Sequence, residues 1–217
     1  MEITPLIQTI LIYALPVLFA ITVHEAAHGY AARYYGDHTA EQLGRLTLNP
    51  LAHIDPIGTI VVPAVMFFTT GFMFGWAKPV PVVSRNFRDT RIGMRMVAIA
   101  GPASNFVMMF GWAVLMMLSP LVPENFQNPM QQMAYFGVMI NAVLFVLNMI
   151  PILPLDGGRF VDTFLSAKAS FQFRKIEPYG MWILIALLFT GLLSKIMQPF
   201  LALVLGIVQG FMRLFGG

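Results

Sequence analysis

Residues 3–28 read ITPLIQTILIYALPVLFAITVHEAAH and join an uncharged apolar run to a cluster of ionisable side chains. Residues 3–23 contain no Asp, Glu, Lys or Arg, and His24, Glu25 and His28 follow directly. A helix rises about 1.5 Å per residue, so the uncharged run alone can cross a hydrocarbon core of about 30 Å. The stretch therefore predicts a membrane helix that carries functional polar residues near its end.

The composition of the whole chain is typical of an integral membrane protein. Of its 217 residues, 58% are hydrophobic and only 11% are charged, whereas roughly a quarter of a soluble protein is charged. The net charge is +3 and the basic residues are scattered, which favours a role in membrane topology and argues against a nucleic-acid partner. Cysteine is absent, so disulfides, thiol nucleophiles and thiolate metal sites are excluded.

Five further uncharged runs predict the remaining membrane segments. They cover residues 56–77, 96–123 and 125–155, and then 179–194 and 196–212. The last two are only about 25 Å long as helices and could form short spans or one interrupted hairpin. We predict an all-α polytopic membrane protein with five to six membrane helices or segments. It is expected to form a single domain, 1–217. Its core, 5–160, holds the site, and residues 161–217 form accessory helices that buttress the core or make homo-oligomer contacts.

The distribution of Lys and Arg predicts an unusual path for residues 54–77. Basic residues follow the first run, precede the run 96–123 and follow the run 125–155, so all three loops are expected in the cytoplasm. The segment 54–77 then has to enter and leave on the same face. Pro56, Gly58, Pro63, Gly71 and Gly75 interrupt it, which favours a re-entrant or broken segment. An ordinary span that violates the charge rule once is the alternative.

The pattern His24-Glu25-Ala26-Ala27-His28 predicts a metal site. Positions i and i+4 share one face of a helix, so His24 and His28 can bind one ion. Glu25 lies beside the remaining coordination position, where it can act as general base for an activated water. The alternative is that the two histidines only reach from the helix to the membrane interface.

Asp156 is the best candidate for the third protein ligand that a catalytic zinc requires. It follows an apolar run, with Pro151 and Pro154 ending the helix and Gly157 and Gly158 permitting a tight turn. The alternative is that Asp156 caps the helix that begins near Arg159. Six other carboxylates lie at a terminus, in a surface-like loop or in a charged cluster: Glu2, Asp37, Glu41, Asp89, Glu124 and Glu177.

Two other polar residues near the apolar runs are weaker candidates. His53, two residues before Asp55, could line the site or hydrogen-bond a ligand imidazole, although such a pair more often anchors a segment at the interface. Asn105 could hydrogen-bond across helices.

Three motifs together resemble the site-2 protease family of intramembrane zinc metalloproteases. They are His24-Glu25-x-x-His28, Ala100-Gly101-Pro102-x-x-Asn105 and Asn148-x-x-Pro151-x-x-Pro154-x-Asp156-Gly157-Gly158. The resemblance implies that His24, His28 and Asp156 bind one zinc ion per chain and that Glu25 is the catalytic base. It also implies that Asn148 contacts the substrate or the oxyanion, a role for which Asn105 and His53 are further candidates.

The resemblance implies an intramembrane zinc endopeptidase that cleaves transmembrane protein substrates near the cytoplasmic face of a prokaryotic plasma membrane. The sequence is similar to a compact branch of the family, without a helix before the His-Glu-x-x-His helix, a PDZ-type domain or a C-terminal regulatory domain. The opening segment lacks the features of a cleavable signal peptide. Two alternatives are a membrane metallohydrolase of a small or lipid-like substrate and a non-proteolytic protein, either a metal-dependent transporter or a scaffold that binds membrane helices.

Overall fold

A computed structural model describes residues 3–62, 65, 66, 68 and 75–215, except for the side chains of residues 3–8, 10, 11 and 60. The described part of the chain is helical and contains no β-strand. The helices are α1 (Ile3–Tyr34), α2 (Thr39–Gln42), α3 (Thr90–Leu118), α4 (Glu124–Asn148), α5 (Asp156–Asp162), α6 (Ala167–Arg174), α7 (Glu177–Phe189) and α8 (Leu192–Phe215). Short 3₁₀ turns cover Pro50–His53, Ser84–Asn86 and Ser119–Leu121, and a π-helical turn covers Pro56–Val61.

Three described segments are long and apolar enough to cross a membrane: Thr90–Leu121, Glu124–Asn148 and Leu192–Phe215. Helix α1 is 32 residues long and begins with the uncharged run of residues 3–23. The predicted all-α membrane protein is confirmed, whereas the number of five to six membrane segments stays a prediction. Helix α3 begins after a residue type that commonly caps helices. The Asp89 carboxylate accepts a hydrogen bond from the Ile92 N–H at the start of the helix.

Helices α1, α3 and α4 pack against one another and form the centre of the molecule. Gly137 on α4 lies directly against the Trp112 ring of α3, where any side chain would collide with the indole. Helix α8 covers the outer side of α3 and α4. The buried cluster between these helices consists of Met109, Ala113, Val138, Ala142, Val146, Ile150, Leu193, Met197, Val204 and Val208.

The two ends of the segment 54–77 lie side by side. The Trp76 N–H donates to the Gly58 carbonyl over 3.0 Å, and the Thr59 hydroxyl donates to the Trp76 carbonyl over 2.9 Å. The Lys78 N–H donates to the His53 carbonyl over 2.9 Å. Entry and exit that are hydrogen-bonded together favour a re-entrant or broken segment over an ordinary span, and the path between them stays a prediction. Residues 63, 64, 67 and 69–74, which include Pro63 and Gly71, lie outside the described residues.

The C-terminal region forms a hairpin of unequal helices. Helix α7 has 13 residues and α8 has 24, so α8 is about 36 Å long and exceeds the predicted 25 Å. The hairpin agrees with one of the two expectations, but the break lies at Gly191 and not at Lys195, which is an exposed residue in the first turn of α8. A lysine can hold its charge away from the apolar region while its stem stays against the helix. Gly191 joins the two helices with a φ of +71°.

Candidate active site

The two histidines of α1 face the interior of the molecule. His24 and His28 are 8% and 9% exposed, and their Nε2 atoms lie 3.0 Å apart. They lie on one face because a turn of α-helix contains 3.6 residues. Small neighbours, Ala26 and Ala32, are buried on the same helix and allow the neighbouring helices to approach closely.

Asp156 completes a group of three potential ligands. Its Oδ2 atom lies 3.1 Å from His24 Nε2 and 3.3 Å from His28 Nε2. Two ligand atoms that each lie about 2.0–2.1 Å from a tetrahedral ion are separated by about 3.3 Å, so these spacings suit a shared ion. Oδ2 is buried and accepts no hydrogen bond from the described residues.

The position of Asp156 depends on the tight turn between α4 and α5. Helix α4 ends at Asn148, and α5 begins at Asp156 itself. A Cβ on Gly157 would lie 2.5 Å from the Met149 carbonyl carbon, and a Cβ on Gly158 would lie 2.5 Å from Leu153 N. The two glycines therefore let the start of α5 press against the preceding turn, which carries the carboxylate to the histidines.

Hydrogen bonds to α3 determine which ring nitrogen of each histidine faces Asp156. His28 Nδ1 lies 2.7 Å from the Val97 carbonyl oxygen, which can only accept, so Nδ1 carries the proton and Nε2 presents a lone pair. His24 Nδ1 lies 2.6 Å from Asn105 Oδ1. The Asn105 amide is oriented in turn, because its Nδ2 donates to the Ala20 carbonyl over 3.2 Å. His24 Nδ1 is therefore also protonated, and its Nε2 also presents a lone pair.

The network extends to a second asparagine. Asn105 Nδ2 donates to Asn141 Oδ1 over 2.9 Å, and Asn141 Nδ2 donates to the Gly137 carbonyl over 2.8 Å. Asn105 and Asn141 are both 0% exposed. Buried amides with satisfied hydrogen bonds fix one geometry, and this pair links α1, α3 and α4 at the depth of the histidines.

Gly101 on α3 forms the floor beneath the imidazoles. A Cβ built there would lie 2.6 Å from both His24 Cε1 and His28 Cε1 and would overlap His28 Nε2. Glycine at this position lets α3 approach the two rings, so the ligand cluster exists only because residue 101 lacks a side chain.

Glu25 is held by the extended segment that precedes α3. The Val80 N–H donates to Glu25 Oε2 over 2.8 Å. Glu25 is half-buried and lies next to His24 in the chain. The carboxylate is thus fixed through one oxygen.

Comparison with known proteins agrees with this geometry. The model of peptidase family M50 matches residues 123–191, a range that contains Asp156. The chain is 36% identical over 188 residues to "Putative zinc metalloprotease YwhC" of Bacillus subtilis (strain 168), with 85% of this chain and 83% of that protein covered. The chain belongs to the site-2 protease family, peptidase family M50. It is a zinc metalloprotease and an integral membrane protein.

More distant relatives carry a related name. The chain is 28% identical over 182 residues to "Putative zinc metalloprotease Rip2" of Mycolicibacterium smegmatis (strain ATCC 700084 / mc(2)155), covering 82% of this chain and 66% of that protein. It is 26% identical over 175 residues to the protein of the same name from Mycobacterium tuberculosis (strain ATCC 25618 / H37Rv), covering 79% of this chain and 62% of that protein. No solved structure matches the chain.

The ligand group of this site-2 protease suits zinc. Three acceptor atoms without a proton between them, two Nε2 and one Oδ2, repel one another unless a cation or an added proton lies among them. Two imidazole nitrogens and one carboxylate oxygen are a catalytic zinc set that leaves a position open. The hydrogen bonds to Asn105 and to the Val97 carbonyl hold both imidazoles in the tautomer that binds metal.

Of the three weaker sequence candidates of the protease, Asn105 alone hydrogen-bonds a ligand residue in the described part of the chain. All the hydrogen bonds of the Asn105 amide go to His24, Ala20 and Asn141, which suits orienting His24 better than contacting substrate. Asn148 Nδ2 donates to the Leu144 carbonyl of its own helix over 3.1 Å. His53 is 2% exposed, and its Nε2 lies 2.9 Å from the Thr47 carbonyl rather than near a ligand imidazole.

Asp37 of the protease was assigned by its sequence context to a surface-like loop, and the structure corrects this. Asp37 is 0% exposed and accepts hydrogen bonds from Thr39, the Val83 N–H and Asn86. Burial alone would raise the pKa of its carboxyl, but these hydrogen bonds outweigh burial, and the pKa lies below its ordinary value. The signal in the sequence was an Asp directly after a glycine at the end of α1, a position that also suits an ordinary turn.

Proposed function

We propose that this membrane zinc metalloprotease hydrolyses peptide bonds within transmembrane segments of other membrane proteins, with Glu25 as the general base. The observation that carries the proposal is the group of three proton-free ligand atoms on His24, His28 and Asp156, the two histidines lying in the C-terminal half of the apolar helix α1. We further propose one zinc ion per chain and a location in a prokaryotic plasma membrane.

His24, His28 and Asp156 would hold the zinc ion. When bound, zinc supplies a Lewis acid that polarises the scissile carbonyl and makes a water molecule more acidic. Glu25 takes the proton from that water and later delivers it to the leaving amine. The Val80 N–H binds Glu25 Oε2, so Oε1 is the oxygen that moves the proton.

The proposed substrate has to be unwound before it can be cut. In a membrane helix each carbonyl accepts a hydrogen bond from within the helix, and the helical backbone shields the carbonyl from attack. Asn148 is half-buried, and its hydrogen bond to the Leu144 carbonyl uses one of the two Nδ2 protons. The second Nδ2 proton can donate to a substrate carbonyl or an oxyanion. We propose that its amide binds the unwound substrate or the oxyanion.

Metal analysis of purified protein tests the ligands. The wild-type protein should contain about one zinc per chain, and His24→Ala and Asp156→Ala should lose it. Retention of a full zinc equivalent by Asp156→Ala would contradict the assignment of the third ligand.

Cleavage of a quenched fluorescent peptide with one 20-residue apolar segment tests the base. Glu25→Gln should keep zinc and lose cleavage by about 10²–10⁴-fold, whereas Glu124→Gln, a matched change at the exposed first residue of α4, should cleave normally. Undiminished cleavage by Glu25→Gln would remove Glu25 as the base. Cleavage of only small or lipid-like esters by the wild-type protein would favour the metallohydrolase alternative.

A further inference from the structure

The extended segment Gly75–Val83, which we name the strap, contains two prolines that flank the residue in contact with Glu25. It reads GWAKPVPVV, and Pro79 and Pro81 have no N–H. Val80 therefore supplies the only backbone donor between Lys78 and Val82. That single donor binds Glu25 Oε2 over 2.8 Å, across a separation of 55 residues in the chain.

The strap is fixed on both sides of Val80. On the N-terminal side, the Lys78 N–H donates to the His53 carbonyl over 2.9 Å, and Arg45 Nη2 donates to the Lys78 carbonyl over 3.0 Å. On the C-terminal side, the Val83 N–H donates to Asp37 Oδ2 over 2.6 Å. Backbone groups on either side of Val80 are thus bonded to residues outside the strap.

Asp37 is the strongest of these attachments. Its Oδ1 accepts from the Thr39 N–H over 3.1 Å, from the Thr39 hydroxyl over 2.5 Å and from Asn86 Nδ2 over 2.9 Å. Both oxygens are therefore occupied by donors, and only an ionised carboxylate accepts at both positions. The residue is fully buried between the end of α1 and the strap, where an unmet donor would be costly.

Two glycines let the strap and the residues that follow it approach α1 closely. Gly36 has a φ of +113°, in the region that favours glycine, and a Cβ there would lie 3.2 Å from the Asn86 carbonyl oxygen. Gly29, one helical turn after Glu25, would place a Cβ 3.3 Å from Val80 Cγ1. Val80 is itself buried, so its side chain packs on α1 while its N–H binds Glu25.

We infer that Asp37 is a positioning residue for Glu25: it anchors the strap so that the Val80 N–H holds one carboxylate oxygen and leaves the other free to move the proton. The inference rests on the proposed role of Glu25 as general base. Small displacements of a reacting group lower turnover strongly. Loss of the anchor therefore lowers kcat while the zinc ligands, which lie on α1 and α5, stay in place.

Substitution of Asp37 tests the inference against a nearby carboxylate that does not touch the strap. With the quenched apolar peptide as substrate, Asp37→Ala should lower kcat at least tenfold, with KM within about twofold and zinc content unchanged. Glu41→Ala, which removes an exposed carboxylate paired with Arg33 and His38, should leave all three values unchanged. An unchanged kcat in Asp37→Ala, or loss of its zinc, would overturn the positioning role.

Two substitutions of Val80 separate the hydrogen bond from side-chain packing. Val80→Ala keeps the N–H and shortens the side chain, whereas Val80→Pro removes the N–H. A kcat at least fivefold lower in Val80→Pro than in Val80→Ala, with equal zinc content, would support the inference. Equal kcat values in the two variants would overturn it.

Hydrogen exchange provides a readout that does not depend on cleavage. The Val80 amide should exchange slowly in the wild-type protein and in Glu41→Ala, and at least tenfold faster in Asp37→Ala and Glu25→Ala. Unchanged protection in Asp37→Ala would overturn the inference even if Glu25→Gln abolishes cleavage. Conversely, full cleavage by Glu25→Gln with lost protection in Asp37→Ala would contradict the proposed base and leave the anchor intact.

Discussion

The zinc ligands are held by helices and side chains, whereas Glu25 is held by an extended backbone segment. His24 and His28 are oriented by Asn105 and the Val97 carbonyl of α3, and Asp156 by the turn into α5. Glu25 instead meets the Val80 N–H of the strap. Damage to helix packing should therefore remove zinc and activity together, whereas damage to the strap should lower activity and leave zinc bound.

The largest effect is expected from Gly101→Ala on the ligand side. The added Cβ would collide with both imidazoles, so zinc content should fall to near zero and cleavage should be lost. Gly111→Ala, on the same helix with no atom within 4 Å of the added Cβ, is the control and should retain both. The zinc content of the two purified variants is the measurement. A full zinc equivalent in Gly101→Ala would show that His24 and His28 still bind zinc when α3 is pushed away from them.

Part of the candidate site could be predicted from sequence patterns. The ligand cluster could be predicted because i, i+4 spacing places two histidines on one face, and because prolines and glycines around Asp156 mark a turn. The membrane helices could be predicted from uncharged length. Neither pattern predicts that the Val97 carbonyl bonds to His28 or that the Val80 N–H bonds to Glu25. Almost every residue has these backbone groups, and only the fold determines which of them come into contact.

The burial of Asp37 and the length of α8 differ from the sequence-based expectations for two physical reasons. Asp37 looked like a loop residue because its partner Val83 lies 46 residues away, beyond any local pattern. The length of α8 was underestimated because Lys195 interrupts the apolar run, although an exposed lysine is compatible with a continuous helix. Long-range pairing and side-chain direction, rather than propensity, decided both.

Asn105→Ala is expected to give the second largest effect. The substitution removes the partner of His24 Nδ1 and frees its ring orientation, so zinc affinity should fall by about 10–100-fold. Titration with a competing chelator measures this. Asn148→Ala, whose amide bonds only within α4, should keep zinc affinity, and an equal loss in both variants would argue against a specific role of Asn105.

On the Glu25 side, Arg45→Met should have a smaller effect. The change removes hydrogen bonds to the Lys78 and Pro79 carbonyls worth about 1 kcal/mol, so kcat should fall roughly fivefold while zinc stays bound. Arg33→Met is the matched control, because Arg33 pairs with Glu41 and not with the strap. If Arg45→Met lost zinc in proportion to activity, the two sides of the site would not be independent.

The smallest expected effect is a pH dependence of the strap anchor. Burial raises the pKa of the Asp37 carboxyl, but the hydrogen bonds from Thr39, Val83 and Asn86 lower it more, so the pKa lies below its ordinary value. Such a carboxylate stabilises the fold fully above the unfolded pKa, near 3.9, and this stabilisation is lost as the pH falls through the folded pKa. The donors are neutral, and the charged neighbours are Arg88, near Gly36, and the Arg33, His38 and Glu41 cluster on and beside α2.

The difference in melting temperature between the wild-type protein and Asp37→Ala should therefore be roughly 2–4 °C above pH 5 and should shrink below about pH 4. Both proteins are first freed of zinc with a chelator, so that loss of zinc at acid pH does not affect either melting temperature. Asn49→Ala removes a neutral acceptor that binds the Leu51 N–H in a similar turn, and its difference from the wild-type protein should not vary over this range. A difference for Asp37→Ala that grew on acidification would mean that the buried carboxyl is stabilised in its protonated form, and the strap would then be anchored by a donor rather than by an acceptor.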